Sequence, residues 1–353
     1  MFITGLGTAT PPNRYTQAEC WDALVASDYL SRLSSRSQAI LRKVLRGHNG
    51  ICSRYLSFAD LSEAFAMSPD ELDARFARHA PDVAAKAAAR ALERAELTAR
   101  DIDAVIISTC TGYLCPGLSS YVSERLGLDS RVLALDLVGQ GCGAALPNMR
   151  TGEALLTAGR AHRVLSICVE ICSAAMYLDD DPGVLISACL FGDGAGAAVL
   201  SAEPGRMDRT IEWKSADTLL SAEDREELRF ERRGGMLRNI LSPQVPALAG
   251  RRVHQVMTAL LARTGVAREA ISAWILHAGG REILAAIQQH LGITEHDTRW
   301  SAAVLRDHGN VSSPCVYFVL DAALKDEAPG GLWYMSSFGA GFSCHGALLE
   351  VGD

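Results

Sequence analysis

Ala104-Val105-Ile106-Ile107-Ser108 is a short, β-branched run without a charge, and its character returns as Ala273-Trp274-Ile275-Leu276-His277. Runs of this length and kind read as strands buried on both faces. Arg131-Val132-Leu133-Ala134-Leu135 and Arg163-Val164-Leu165-Ser166-Ile167 read the same way, with stretches between them long enough for crossover helices. A glycine-flanked polar residue follows each matching run. Cys142, in Gly139-Gln140-Gly141-Cys142-Gly143, comes 34 residues after Ser108, and Asn310, in His308-Gly309-Asn310-Val311-Ser312, comes 33 after His277. Each half then closes on a similar phrase, Phe191-Gly192-Asp193-Gly194-Ala195-Gly196 in the first and Phe338-Gly339-Ala340-Gly341-Phe342 in the second. Three matches in one order at near-equal spacing indicate duplication of an α/β unit of about 150 residues, with halves at 1–205 and 206–353. Two like units packed together bring corresponding loops to a shared pseudo-twofold axis. A site there would gather Cys142, His277 and Asn310.

Outward from these runs, the N-terminal third reads helical near 17–28, 36–47 and 83–96, the last rich in alanine, the best helix former. The charge-dense stretch Ser221 to Arg233 reads as a solvated connection between the halves. With 34 basic and 41 acidic side chains the net charge is -7, so whole-chain electrostatics favour neither nucleic acid nor an anionic membrane, and an anionic ligand needs a local basic patch. The opening Met1-Phe2-Ile3-Thr4-Gly5 carries no basic leader, and no run approaches the roughly 18 apolar residues of a membrane span. The expectation is a soluble, cytoplasmic protein. Ten cysteines are scattered with no CxxC pair, which argues against a zinc knuckle or a redox pair; no metal is expected.

A cysteine thiolate is the nucleophile that acyl transfer between thioesters needs, because exchange of one thioester for another leaves the acyl carbon activated. Cys142 should sit on a tight glycine turn between a strand ending near Leu137 and a helix starting near Ala144, its sulfur at the positive end of the helix dipole. His277 should stand at the end of its strand before Ala278-Gly279-Gly280. Asn310, expected on the first turn of a second helix, would pair its amide with the His277 N–H as a two-donor oxyanion hole. Such a pair stabilises a tetrahedral acylation intermediate or the enolate left when a malonyl group loses carbon dioxide.

Val138-Gly139-Gln140-Gly141-Cys142, Leu190-Phe191-Gly192-Asp193-Gly194-Ala195, His277-Ala278-Gly279-Gly280 and Gly309-Asn310-Val311-Ser312-Ser313 stand in the order and spacing of the type III polyketide synthases, the chalcone and stilbene synthase family. The opening Gly5-Leu6-Gly7-Thr8-Ala9-Thr10-Pro11-Pro12 and the segment Thr111-Gly112-Tyr113-Leu114-Cys115-Pro116-Gly117 are similar to that family too, so the resemblance covers nearly the whole chain. It implies a thiolase-type αβαβα layered α/β fold in a homodimer, with acyl-CoA and malonyl-CoA as substrates and no further cofactor. Cys142 would carry the acyl group, His277 and Asn310 would support loading and decarboxylation, and Phe191 would gate the passage between CoA tunnel and cavity. The resemblance also places CoA-contacting cations at Arg42, Lys43 and Arg46, and cavity positions at Cys110, Thr111, Cys115, Glu170, Cys172, Ala175, Ser312 and Phe338.

Departures from the family bear on the product. Asn239 stands where plant members carry a second gating phenylalanine, Phe230 where a glycine lines their elongation cavity, and Ala340 where they have proline. Cys110, Cys172 and Ala175 replace threonines. The expectation is a wider, less apolar mouth with a broad starter range and few extensions, giving pyrones or small resorcinol- or phloroglucinol-type rings. Two enzymes of the same chemistry compete with this reading. Ketoacyl-ACP synthase III shares the Cys-His-Asn set but carries His-Gln-Ala-Asn where this chain has His277-Ala278-Gly279-Gly280. A hydroxymethylglutaryl-CoA synthase would want a glutamate base, and Glu170 is expected on a strand away from the nucleophile. A non-catalytic thiolase-fold subunit would not need a thiol, an imidazole and an amide on one axis.

Overall fold

The computed structural model describes residues 1–65 and 67–353. The strands are β1 (Phe2–Ala9), β2 (Arg14–Thr16), β3 (Ser53–Tyr55), β4 (Ala104–Ser108), β5 (Leu133–Leu137), β6 (Arg163–Glu170), β7 (Gly194–Ser201), β8 (Ile211–Leu220), β9 (Leu228–Arg233), β10 (Met236–Leu241), β11 (Ile271–Leu276), β12 (Gly331–Gly339) and β13 (Ser343–Val351). The helices are α1 (Gln17–Ala26), α2 (Tyr29–Arg32), α3 (Ser35–Arg46), α4 (Pro69–Arg94), α5 (Leu118–Leu126), α6 (Ala145–Thr157), α7 (Pro182–Leu190), α8 (Val245–Thr264), α9 (Arg281–Leu291), α10 (Arg299–His308) and α11 (Cys315–Lys325).

The long sheet runs β11-β12-β13-β8-β1-β7-β6-β4-β5. Read outward from its centre, the order is β1-β7-β6-β4 on one side and β8-β13-β12-β11 on the other. The pairing senses match as well: β4 lies parallel to β6 as β11 does to β12, and β6–β7 and β12–β13 are both antiparallel. Between β1 and β8 only Phe2 and Glu212 pair. The two runs that resemble each other in sequence, β4 and β11, thus hold equivalent places.

Strand periodicity assigns the layers, since successive side chains face opposite sides. Val105 and Ile107 pack on α4 and α5 with Phe76, Val83 and Val122, whereas Ala104 and Ile106 face α6 and α11. In the other half Trp274 and Leu276 pack on α8 and α9, while Ala273 and Ile275 face the same central helices. The result is helix, sheet, helix, sheet, helix: α4 and α5 outside, α6 and α11 in the middle, α8 and α9 on the far side. Tyr317, Val319 and Leu320 of α11 are fully buried between the sheets.

Three expectations change. The third strand of the first half is the edge strand β5, shifted to 133–137 and half exposed instead of buried on both faces, because only β4 covers it. The alanine-rich helix begins at Pro69, where Ser68 and Glu71 close a capping box, and continues through Pro81. The polar stretch 221–233 is no connection between halves: β9 pairs with β10 as a hairpin, and its charges satisfy one another, Arg229 with Glu226 and Glu231 at 2.8 Å each and Arg238 with Glu231 at 2.6 Å. The passage from β7 to β8 runs instead through residues 202–210. Among the described residues no helix is long and apolar enough to cross a membrane.

Candidate active site

Cys142 sits on a short 3-10 turn, Gly141–Gly143, between β5 and α6. Gly141 adopts φ +54°, a conformation glycine takes freely. The turn is clamped by the other half: a Cβ on Gly339 would lie 2.4 Å from both Gln140 O and Gly143 N, and Ser337 Oγ donates to Gly143 O at 2.9 Å. Backbone thus rests on backbone at Cys142.

His277 follows β11 directly, as expected, and its N–H donates to Ser336 O at 2.9 Å. Its ring is 2 % exposed and meets the Phe338 ring edge-on, centroids 5.0 Å apart. Asn310 lies in the loop between α10 and α11, not on the first turn of α11, which starts five residues later. That loop is stitched to the first half by Asn310 N to Leu190 O at 2.9 Å and Gly192 N to Asn310 O at 3.0 Å. The Asn310 amide is oriented at both ends: Oδ1 accepts from Ser312 N at 2.9 Å and Nδ2 donates to Gly279 O at 3.2 Å, which leaves one amide hydrogen uncommitted. Ser312, held at φ +58°, then donates its hydroxyl to Cys142 Sγ at 3.2 Å. Through Ser312 and Gly279 the three expected residues come to one place.

Burial sets their charge states. The Cys142 thiol is pushed up to about 12 by desolvation, against which the Ser312 bond pulls down, and the His277 imidazole is pushed down to about 4 by desolvation. Burial thus favours the neutral thiol and the neutral imidazole, against the pull of the helix N-terminus toward thiolate. His277 Nδ1 is buried without a hydrogen-bond partner.

Glu170 stands on its strand, as expected, and makes no hydrogen bond to Cys142. At the end of β6 and fully buried, it accepts from Thr109 Oγ1 (3.1 Å), Cys110 N (3.0 Å), Thr111 N (3.1 Å), Thr111 Oγ1 (2.8 Å), Ser313 Oγ (2.5 Å) and Cys110 Sγ (3.3 Å). Cys110 Sγ in turn lies 3.6 Å from Ser312 Oγ, so the carboxyl reaches Cys142 through two side chains. Desolvation raises its pKa, opposed by these bonds.

A narrow, partly open cavity lies beside Ser312. Of the expected positions, Thr111, Cys172, Ala175, Phe191, Phe230, Asn239 and Ser312 line it. Cys110 lies behind Ser312 with Glu170, and Phe338 stacks on Phe342 and meets His277 edge-on outside it. Cys115 is exposed and takes no part in this chain's cavity, because its loop runs outward beyond Thr111. Sequence reasoning missed Met176, Tyr177, Val184, Ser187, Ala188 and Leu237, which complete the wall from the segment before α7, from α7 itself and from the hairpin; nothing in the sequence pattern points to them. Phe230 and Asn239 are cross-strand partners on one face of the hairpin, and the Asn239 amide donates to Ser187 Oγ at 2.9 Å. Two lining residues are thus tied by a polar bond. Arg42, Lys43 and Arg46 lie exposed on α3, opposite its buried Leu41 and Leu45, with no salt bridge among the described residues; Arg42 lies over the Trp21 ring.

Residues 22–220 match the family model described as FAE1/type III polyketide synthase-like protein, and residues 216–350 match that of the chalcone and stilbene synthases, C-terminal domain. A 3,5-dihydroxyphenylacetyl-CoA synthase of Streptomyces toyocaensis is 31% identical over 99% of this chain and 89% of its own length. The crystal structure of PKS-I from the brown alga Ectocarpus siliculosus superposes with a TM-score of 0.88 at 27% identity, covering 99% of this chain and 97% of that one. The 1,3,6,8-tetrahydroxynaphthalene synthase of Streptomyces coelicolor A3(2) shares the fold over the full length of both chains, with a TM-score of 0.87 at 22% identity. The layered fold and the whole-length match agree: the chain belongs to the type III polyketide synthases, decarboxylating condensing enzymes that act on CoA thioesters without a further cofactor.

Proposed function

We propose that Cys142 is the acyl carrier of this condensing enzyme and that His277 and Asn310 supply its oxyanion donors. The observation that carries the reading is the Ser312 hydroxyl on Cys142 Sγ, which ties the Asn310 loop of one half to the nucleophile turn of the other. In loading, Cys142 attacks the thioester carbonyl while its proton passes to neutral His277 and on to the departing CoA sulfur, so the products are acyl-S-Cys142 and CoA thiol. In extension, malonyl-CoA loses carbon dioxide; the electron pair becomes the enolate of an acetyl thioester, whose oxygen takes hydrogen bonds from the His277 ring N–H and the free Asn310 amide hydrogen. The enolate carbon then attacks the acyl carbonyl on Cys142, and the sulfur leaves and is reprotonated. The walls at Phe230 and Asn239 favour few extensions and small products of pyrone, resorcinol or phloroglucinol type.

The exposed cations Arg42, Lys43 and Arg46 are positioned to meet the CoA phosphates. Association as a homodimer is supported by the open edge of β5, where Leu133 is 41% exposed and Val138, just past the strand, 63%. Ten free thiols suit the reducing cytoplasm. Incubation with an acyl-CoA should leave its mass on the Cys142 peptide, and Cys142→Ala should abolish product formation. Labelling of another cysteine with Cys142 left free overturns the reading.

A further inference from the structure

Arg54 of β3 is a buried guanidinium, 2 % exposed, that pairs with no carboxylate among the described residues. One terminal nitrogen donates to Ala188 O at 2.6 Å and to Phe191 O at 2.8 Å, the other to Cys20 Sγ at 3.5 Å, and Nε to Gln17 Oε1 at 3.2 Å. The two carbonyls belong to the C-terminal end of α7, where a helix leaves its last carbonyls without intrahelical partners and carries the negative end of its dipole. The carbonyls between them are filled as well. Cys189 O accepts from Gln17 Nε2 at 2.9 Å, and Leu190 O from the Asn310 main-chain N–H at 2.9 Å. Four successive carbonyls, Ala188 to Phe191, thus hold α1, β3 and the Asn310 loop to one helix end. That end also compensates a cation whose burial would otherwise be costly.

The stem of Arg54 lies against the same loop. A Cβ on Gly309 would fall 2.8 Å from Arg54 Cγ and 3.0 Å from its Cδ, and one on Gly192 would fall 3.5 Å from its Cβ. Phe191 and Asn310, the neighbours of those glycines, form a parallel bridge. We infer that Arg54, braced by Gln17, is a positioning residue for the condensing reaction: it sets the Asn310 loop and the Phe191 segment against each other, and so fixes where the Asn310 amide stands. The inference rests on Asn310 as an oxyanion donor and adds the group that aims it. The rigid fork of arginine suits this task, because the single nitrogen of a lysine does not span the two carbonyls and Gln17 together.

The test is a double-mutant cycle on malonyl-CoA decarboxylation by the full chain. Arg54→Lys keeps the charge and loses the fork; it should lower kcat about 10- to 100-fold, the cost of misplacing a reacting group by up to about 1 Å, with KM within about twofold. Introduced into Asn310→Ala, the same change should lower the residual kcat by no more than about twofold, because the group it aims is gone. Gln17→Met removes the brace alone and should repeat the pattern at smaller amplitude, which keeps the test open if the lysine variant fails to fold. A parent kcat in Arg54→Lys, or in Gln17→Met where the lysine variant does not fold, overturns the inference. So does a loss of equal size with and without Asn310, or a loss carried by KM. Asn310→Ala at the parent rate defeats instead the reading beneath it.

Discussion

Ser312→Ala removes one hydroxyl and almost nothing else. Alanine keeps the Cβ and so the same left-handed backbone at position 312, and the bond from its main-chain N–H to Asn310 Oδ1 survives. What is lost is the 3.2 Å donor to Cys142 Sγ, the group that opposes the upward push of burial on the thiol. A hydrogen bond to a charged acceptor contributes about 1.5–3 kcal/mol, and roughly 1.4 kcal/mol is a factor of ten, so the thiolate fraction should fall about 10- to 100-fold at any pH below the thiol's own titration. Iodoacetamide alkylation followed by peptide mass mapping reads that fraction directly, with the exposed Cys52 and Cys115 as internal controls. Starter loading should slow in proportion. Decarboxylation of malonyl-CoA, which relies on the oxyanion donors and not on the sulfur, should stay within about twofold. If Cys142 alkylates at its original rate while the control cysteines are unchanged, Ser312 does not tune the thiol.

Asn310→Ala should cut malonyl-CoA decarboxylation by about 10²–10³ with an unchanged circular dichroism spectrum, as loss of one oxyanion donor does elsewhere; decarboxylation at the parent rate would make Asn310 structural. His277, His308 and His345 are each pushed down to about 4 by burial, so between about pH 6.5 and 4 the unfolded chain binds protons that the folded chain refuses, and stability falls with pH across that window by up to roughly 3 kcal/mol per histidine. Buried Glu170 and Asp193, with raised pKa values, act with the opposite sign and soften the loss; His345→Gln should flatten the melting temperature against pH in that window, and an unaltered slope would refute the assignment. Phe230→Gly should lengthen the polyketides seen by mass spectrometry, and an unchanged number of extensions with every accepted starter would show that Phe230 does not bound chain growth.

The parts of this fold that sequence reveals are those whose physics is local or repeated. β4 and β11 could be read because a strand covered on both faces has no place for a charge, and their equivalence followed from the phrases downstream of each. The first turns of α4 were hidden by Pro81, a residue that ordinarily ends a helix and here sits inside one. The hairpin was misread because its arginines and glutamates look solvated when they in fact pair with one another and with Asp181, which caps α7. At the site, the thiol, the imidazole and the amide were legible from their glycine-marked turns. The setting of Glu170 was not, since its six donors come from two loops more than two hundred residues apart. Nor was the push that burial exerts on Cys142 and His277, which depends on how completely the assembled halves exclude water.

The contact of Gly339 with Gln140 and Gly143 has a consequence for how such an enzyme can diverge. Where main chain rests on main chain, a side chain introduced at position 339 collides with the nucleophile turn itself, so the two segments can change only together, and the chemistry is locked by geometry as much as by selection for reactivity. The far wall is under no such lock. Phe230, Asn239 and Leu237 project from a two-stranded hairpin that contributes nothing to the long sheet, and Met176 and Ala188 line the same cavity. Substitutions there alter what fits without disturbing what reacts. One catalytic frame can therefore be refitted to different acyl chains by drift in a handful of side chains, none of which touches the bond being made.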